Sequence, residues 1–244
     1  MSDVTEPAPR ERRLGVLAFG DSITNAGGEL QWGVALHSWA LWTARGLGVP
    51  YTGFAMDGAS VRDVVTLQLP AFATRSAAPG AGYDVGCLYI GANDVRDPGW
   101  DPDGFAEGVD AALGFLGQRC MRTLALTLPS ALGVPPAGAA VAQANAAIAA
   151  GAATHGALVV DLHDFGARNH VMADRVHPTA FGQVAIARRA LAVLAADGLT
   201  IHADPATLIT YETTRVGRLR GDLTYAYRSA RERARGVLRR TLMH

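Results

Sequence analysis

Leu14-Gly-Val-Leu-Ala-Phe19-Gly20-Asp21-Ser22-Ile23-Thr24 is the stretch that decides the fold. Leu14 to Phe19 is apolar throughout rather than alternating, which fits a short strand buried on both faces. Gly20 ends the run, and a polar turn follows at once. Downstream, Tyr51 to Ala55, Asp84 to Ile90, Thr123 to Leu128 and Ala157 to Leu162 read as further strands. Helical segments fall between them. Glu29 to Leu47 carries Trp32, Leu36, Trp39, Ala40 and Trp42 at helical spacing, and Val61 to Phe72 is a short helix interrupted by Pro70. Phe105 to Leu116 follows, with Asp101 or Asp103 as its cap, then Ala137 to Ala153 and Pro178 to Ala196. Strands alternating with helices imply right-handed crossovers and a parallel sheet covered on both faces, a three-layer α/β/α sandwich. Ligand sites in such sheets lie in the loops leaving the carboxyl ends of the strands.

Composition narrows the chemistry. The 244 residues carry 22 basic and 22 acidic side chains, so net charge offers no long-range attraction to nucleic acid or anionic lipid. Every basic residue other than histidine is arginine. The lack of lysine excludes Schiff-base chemistry and a phosphate-loop lysine. Met1 to Arg13 is a polar, flexible leader with no apolar signal segment, and Leu14 to Phe19 is too short to span a membrane. These features predict a cytoplasmic protein. Cys87 and Cys120, both in or beside apolar runs, read as buried free thiols.

Most residues with chemical potential follow a predicted strand. Ser22 sits on the strand-to-helix turn after the first, with its hydroxyl exposed and its own N–H free to point at a bound oxyanion. Gly58 comes shortly after the second and lets its N–H approach a substrate closely. Gly91-Ala92-Asn93-Asp94 follows the third, and the Asn93 amide supplies another donor. Asp174-Arg175-Val176-His177-Pro178 lies in the connection after the last strand, where Pro178 fits a first helical turn and sets His177 at its mouth. A serine hydroxyl needs a base within reach, and the base needs an orienting acceptor. His177 suits the first role and Asp174, three residues earlier, the second. The fifth residue of the nucleophile block is Thr24 rather than glycine, so this is not a G-x-S-x-G elbow.

Taken in order, these blocks resemble the SGNH hydrolase superfamily, also called GDSL esterases and lipases. Gly20-Asp21-Ser22-Ile23-Thr24 looks like its nucleophile block, with isoleucine where the family name has leucine. Gly58 looks like the second-block glycine, Gly91-x-Asn93-Asp94 like the third block, and Asp174-x-x-His177-Pro178 like the last. The resemblance covers about residues 14 to 196 and implies a flavodoxin-like sheet. It further implies a Ser22, His177, Asp174 triad and an oxyanion hole made by the N–H groups of Ser22 and Gly58 with the side chain of Asn93. The expected activity is hydrolysis of a small or medium carboxylic ester through an acyl-enzyme, with no cofactor and no metal. An acyltransferase would use the same triad, and that alternative stays open.

Other polar residues take plainer readings. Asp161, His163 and Asp164 cluster but lack a further ligand group, which favours a structural or pocket-lining role over metal. Arg62, Arg96, Arg168 and Arg175 lie near the motifs as surface arginines or as partners for an anionic substrate group. The chain divides into the leader (1–13), a hydrolase domain (14–204) and an arginine-rich helical extension (205–244). In the extension, Leu223, Tyr227, Ala230, Ala234 and Val237 form one apolar stripe, with Arg228, Arg231, Arg235 and Arg239 on more polar faces. Such a helix packs on its own domain or a second subunit, or touches an anionic membrane or nucleic acid. A binding module with a vestigial site and a basic tail is the reading from outside the enzyme class.

Overall fold

The computed structural model describes residues 13–75, 82–211 and 213–242, with side chains as far as Arg235. Apart from Arg13, the leader lies outside the described residues, as do the side chains of Val237 and Arg239. Five parallel strands form the sheet: β1 (Val16–Gly20), β2 (Tyr51–Gly53), β3 (Tyr83–Tyr89), β4 (Cys120–Leu126) and β5 (Leu158–Val160), in the order β2-β1-β3-β4-β5. That order is flavodoxin-like, with its switch point between β1 and β3. β1 is buried along its whole length, as an unbroken apolar run requires, and pairs with β3 from Val16↔Val85 to Gly20↔Tyr89.

Helices cover both faces. α1 (Trp39–Leu47) and α6 (Ala180–Ala196) pack together on one. The other carries α4 (Pro102–Gly117), α5 (Ala139–His155) and the segment made of α2 (Val61–Asp63), a π turn (Val64–Gln68) and α3 (Leu69–Arg75). Under that second layer Phe19 meets Phe54, Phe72 and Phe115 at ring centroid distances of 5.7, 6.1 and 5.9 Å. Under the first, Trp39 lies edge-on to Tyr89 at 6.5 Å. α7 (Arg215–Leu242) follows beyond a short 3₁₀ turn.

Three local expectations are corrected. The helix predicted from Glu29 begins only at Trp39, because the Ser38 hydroxyl caps Leu41 N–H while Glu29 bridges to Thr179 and Gln31 to Val34. Trp32 and its neighbours serve tertiary contact instead, Trp32 packing on Phe181 at 5.6 Å. Pro70 does not break its helix. The π turn precedes it, Leu69 N–H bonding Val64 C=O, and the helix continues to Arg75. Pro178 lies before α6 rather than within its first turn, since Thr179 accepts Gly182 N–H as the cap and Pro178 bridges to Val171. The Asp101 cap on α4 is present, its carboxylate accepting from Gly104 N–H.

Two buried glutamines tie the end of β1 to the helices. Gln68 accepts from Gly20 N–H at 3.0 Å and donates to Gly20 C=O at 2.8 Å. Gln183, on α6, donates to the carbonyls of Ile23 and Gly27 at 2.9 and 3.2 Å and accepts from Trp39 N–H at 2.7 Å. Between them Gly20 adopts φ +149°, where a Cβ would stand 2.2 Å from the Tyr89 carbonyl oxygen. No other residue fits. Gln183→Ala strips three buried backbone groups of their partner and should cost about 2–4 kcal/mol in urea unfolding. A loss below about 0.5 kcal/mol would show that the clamp carries little stability.

Candidate active site

Two turns meet across the switch point. The first is Asp21 to Thr24, directly after β1. It is wound tightly, with Thr24 and Asn25 N–H both donating to Asp21 C=O and Ile23 N–H donating to the Asp21 carboxylate at 2.9 Å. This leaves the Ser22 side chain on the outside of the bend. The second is the stretch from Asp174 to His177 before α6. One Asp174 oxygen accepts from Val176 and His177 N–H at 2.9 and 3.1 Å, a closed turn that passes through Arg175 at φ +57°.

Ser22 Oγ lies 3.0 Å from His177 Nε2, and His177 Nδ1 lies 2.7 Å from the second Asp174 oxygen. The carboxylate only accepts, so Nδ1 carries the ring proton and Nε2 is left to accept from the serine hydroxyl. Electrostatics agree. The Asp174 hydrogen bond raises the His177 pKa, outweighing partial burial, while nearby Arg96 opposes it. Burial pushes Asp174 up, but the His177 hydrogen bond and backbone donors more than offset it and hold the carboxyl below the usual range.

Gly58 and Asn93 border the same turn. Asn25 donates to Asp57 at 2.9 Å, joining the Ser22 turn to the Gly58 loop, and Asn93 Nδ2 donates to Ala59 C=O at 2.9 Å. An amide has two donors, so one hydrogen of Asn93 remains. Gly58 sits at φ +75° with open space where a Cβ would be. Among the described residues neither Ser22 N–H nor Gly58 N–H has a protein acceptor. Asp94, beside Asn93, accepts from Val61 N–H at 2.9 Å and braces the segment. A cleft of about 840 Å³ opens from Gly58 and Asn93, lined further by Ser60, Arg62, Trp100 and Phe105.

Three supports carry no role in the motif pattern of the sequence: Gln68, Gln183 and the carboxyl of Asp21. Both glutamines were legible as polar residues on otherwise apolar helix stripes, Gln68 with Val61, Val64 and Phe72, Gln183 with Ala180, Ala187 and Leu191. Asp21 is fully buried with one oxygen unpartnered, and burial pushes its pKa up to about 7. The other candidates take no part in the Ser22–His177–Asp174 hydrogen bonds. Asp161 accepts from Thr127 and His163 N–H, Asp164 pairs with Arg189, and no cluster of metal-binding side chains occurs among the described residues. Arg62, Arg96 and Arg175 are exposed, and Arg168 pairs with Asp222 on α7. Cys87 and Cys120 are free, the first buried and the second half-buried.

Comparison with known proteins places this fold. Among solved structures, a lipolytic protein of the G-D-S-L family from Veillonella parvula superposes with a TM-score of 0.60 at 24% identity, covering 74% of this chain and 98% of that one. A lipase/acylhydrolase from Enterococcus faecalis gives 0.59 at 19%, with 79% and 100% covered. A variant of an acetyl xylan esterase from Geobacillus stearothermophilus gives 0.57 at 20%, with 78% and 96% covered. At these identities the likeness is one of fold. No curated protein sequence matches the chain. The model of the GDSL-like lipase/acylhydrolase family matches residues 18–185, most of the sheet and both turns of the site, and the chain belongs to that family.

Proposed function

We propose that this hydrolase is a serine esterase that works through an acyl-enzyme on small or medium carboxylic esters in the cytoplasm. The observation that carries the proposal is the unbroken chain of hydrogen bonds from Ser22 through His177 to Asp174, at 3.0 and 2.7 Å. Ser22 Oγ attacks the ester carbonyl carbon while its proton passes to His177 Nε2. Negative charge grows on the carbonyl oxygen, and Ser22 N–H, Gly58 N–H and the remaining Asn93 hydrogen receive it. The bond to the alcohol oxygen then breaks as His177 returns the proton to the leaving group. Water, deprotonated by the same imidazole, attacks the acyl carbon and releases the acid and free Ser22. Asp174 keeps the imidazole in the productive tautomer throughout. The cleft beside Asn93 supports a substrate of modest size, the Geobacillus protein similar in fold is an esterase of acetyl groups, and the two free cysteines suit a reducing compartment.

A panel of p-nitrophenyl esters from acetate to palmitate, with fluorophosphonate labelling in parallel, tests the assignment. Ser22→Ala should lose turnover by about three orders of magnitude or more and all labelling, without loss of fold. Turnover that survives the substitution would reject Ser22 as nucleophile, and products appearing only with an added alcohol would replace hydrolysis by acyl transfer. Asn93→Ala should lower kcat by about 10²–10³-fold with little change in KM, since its hydrogen bond strengthens as charge develops. An effect confined to KM would move Asn93 from the oxyanion to ground-state binding.

Proton chemistry gives a separate check. Only neutral imidazole can take the Ser22 proton, so kcat/KM falls as pH drops through the His177 pKa. Because the Asp174 bond raises that pKa, the acidic limb should lie above 6.5. Asp174→Asn should move the limb downward and reduce kcat by about 10⁴-fold. A limb that stays in place in this variant would assign the titration to another group.

A further inference from the structure

α7 is an amphipathic helix attached by its polar side. Asp222 pairs with Arg168 at 2.6 Å, Arg228 with Glu29 at 2.5 Å, and the Arg168 guanidinium lies over Tyr225 at 5.2 Å. The opposite side carries Val216, Leu219, Leu223 and Tyr227, exposed by 75, 60, 64 and 69%. These residues, with Ala230 and Ala234, fall within about 40° of one line along the helix at 100° per residue. A helix that packed only on its own domain would face the other way. Arg220 and Arg231 border the stripe on one side, Arg215 and Arg233 on the other, each about 60–80° from its centre. The two acidic residues of α7 add no net field, since Asp222 is paired to Arg168 and Glu232 to Arg235.

We propose that α7 is a docking surface for an anionic lipid bilayer, lying flat in the headgroup layer with its apolar stripe inward. Arginines at both edges of such a stripe extend to phosphate while their stems stay on apolar surface. The body sits on the far side of the helix, clear of the membrane. No helix among the described residues is long and apolar enough to cross a membrane, so the contact is peripheral. Nucleic acid fits less well, because the middle of the exposed face holds Leu219, Leu223 and Tyr227 where phosphate recognition would need cations. A second copy of α7 fits less well too, since stripes bordered by arginine on both edges would bring like charges together. The inference does not rest on the esterase assignment. α7 borders the site all the same: a cleft on its edge is lined by Asp174, Met172, Arg228, Arg231 and Glu232.

Co-sedimentation of the full chain with extruded vesicles is the test, using phosphatidylcholine alone and phosphatidylcholine with one-quarter phosphatidylglycerol. Partitioning should be at least about tenfold stronger on the anionic vesicles and weaken in high salt. Leu219→Glu with Leu223→Glu should reduce it by about tenfold or more. Circular dichroism reports whether that pair keeps its helix. Arg220→Gln with Arg231→Gln, which spares the stripe, should reduce binding about thirtyfold. Three results would overturn the proposal: no preference for anionic vesicles, binding that both variants retain, or a solution dimer that the Glu pair dissolves while vesicles go unbound. Tight binding of a single-stranded RNA probe that only the arginine variant loses would also overturn it, in favour of nucleic acid.

Discussion

Gln68 and Gln183 supply the constraint on which the site depends. A strand that ends in a polar turn leaves backbone groups buried where the ladder stops, and each needs a partner. At the end of β1 those partners are two side-chain amides reaching in from opposite layers: Gln68 takes both polar groups of Gly20, and Gln183 takes Ile23, Gly27 and the first N–H of α1. An amide can do this because it donates and accepts at once. The result is a Ser22 turn fixed to both helical layers. Gln183 stands six residues beyond His177, so the helix that follows the imidazole also grips the serine turn, and a 3.0 Å contact between residues 155 apart becomes a local matter.

Electrostatic order extends from that frame. His177 is held toward its protonated form by a carboxylate whose own charge is favoured by backbone donors, whereas Asp21 is a buried carboxyl pushed toward neutrality by desolvation. Two acids within one small region are thus pushed in opposite directions. The half-buried Asp174 faces the imidazole, and the sealed Asp21 holds the bend beneath Ser22. α7 adds a third electrostatic element, fastened through Glu29 and Arg168, which belong to segments flanking the histidine turn.

How much of this could be read from residues alone depended on range. Gly20 to Thr24, Gly91 to Asp94 and Asp174 to His177 were legible because each motif closes its own turn with neighbours in sequence. The five strands were legible as short apolar or β-prone runs, though β2 and β5 proved shorter than those runs and β4 starts three residues earlier, at Cys120. The helix expected from Glu29 failed because Trp32 and Leu36 follow helical spacing for a different reason: that segment runs alongside the start of α6, a long-range contact no window of sequence contains. Pro178 was misplaced for a similar reason, since the Thr179 hydroxyl wins the capping position. The stripe on α7 was visible, but amphipathicity defines two faces without saying which is turned outward. Arg168 and Glu29 decide that, and neither belongs to the helix.

The separation between what holds Ser22 to His177 and what lines the adjoining cleft has a consequence for diversification. Ser60 and Arg62 belong to the α2 segment, and Trp100 lies in the loop before α4, its indole braced on Gln143. None of them contacts the glutamine clamps. Substituting Arg62 or Trp100 therefore reshapes the space offered to a ligand without touching the contacts that join the Ser22 turn to His177, and the two properties can drift independently. Such a molecule is modular in an engineering sense: a fixed frame joined to an interchangeable mould, with the shape of the cleft open to redesign one side chain at a time.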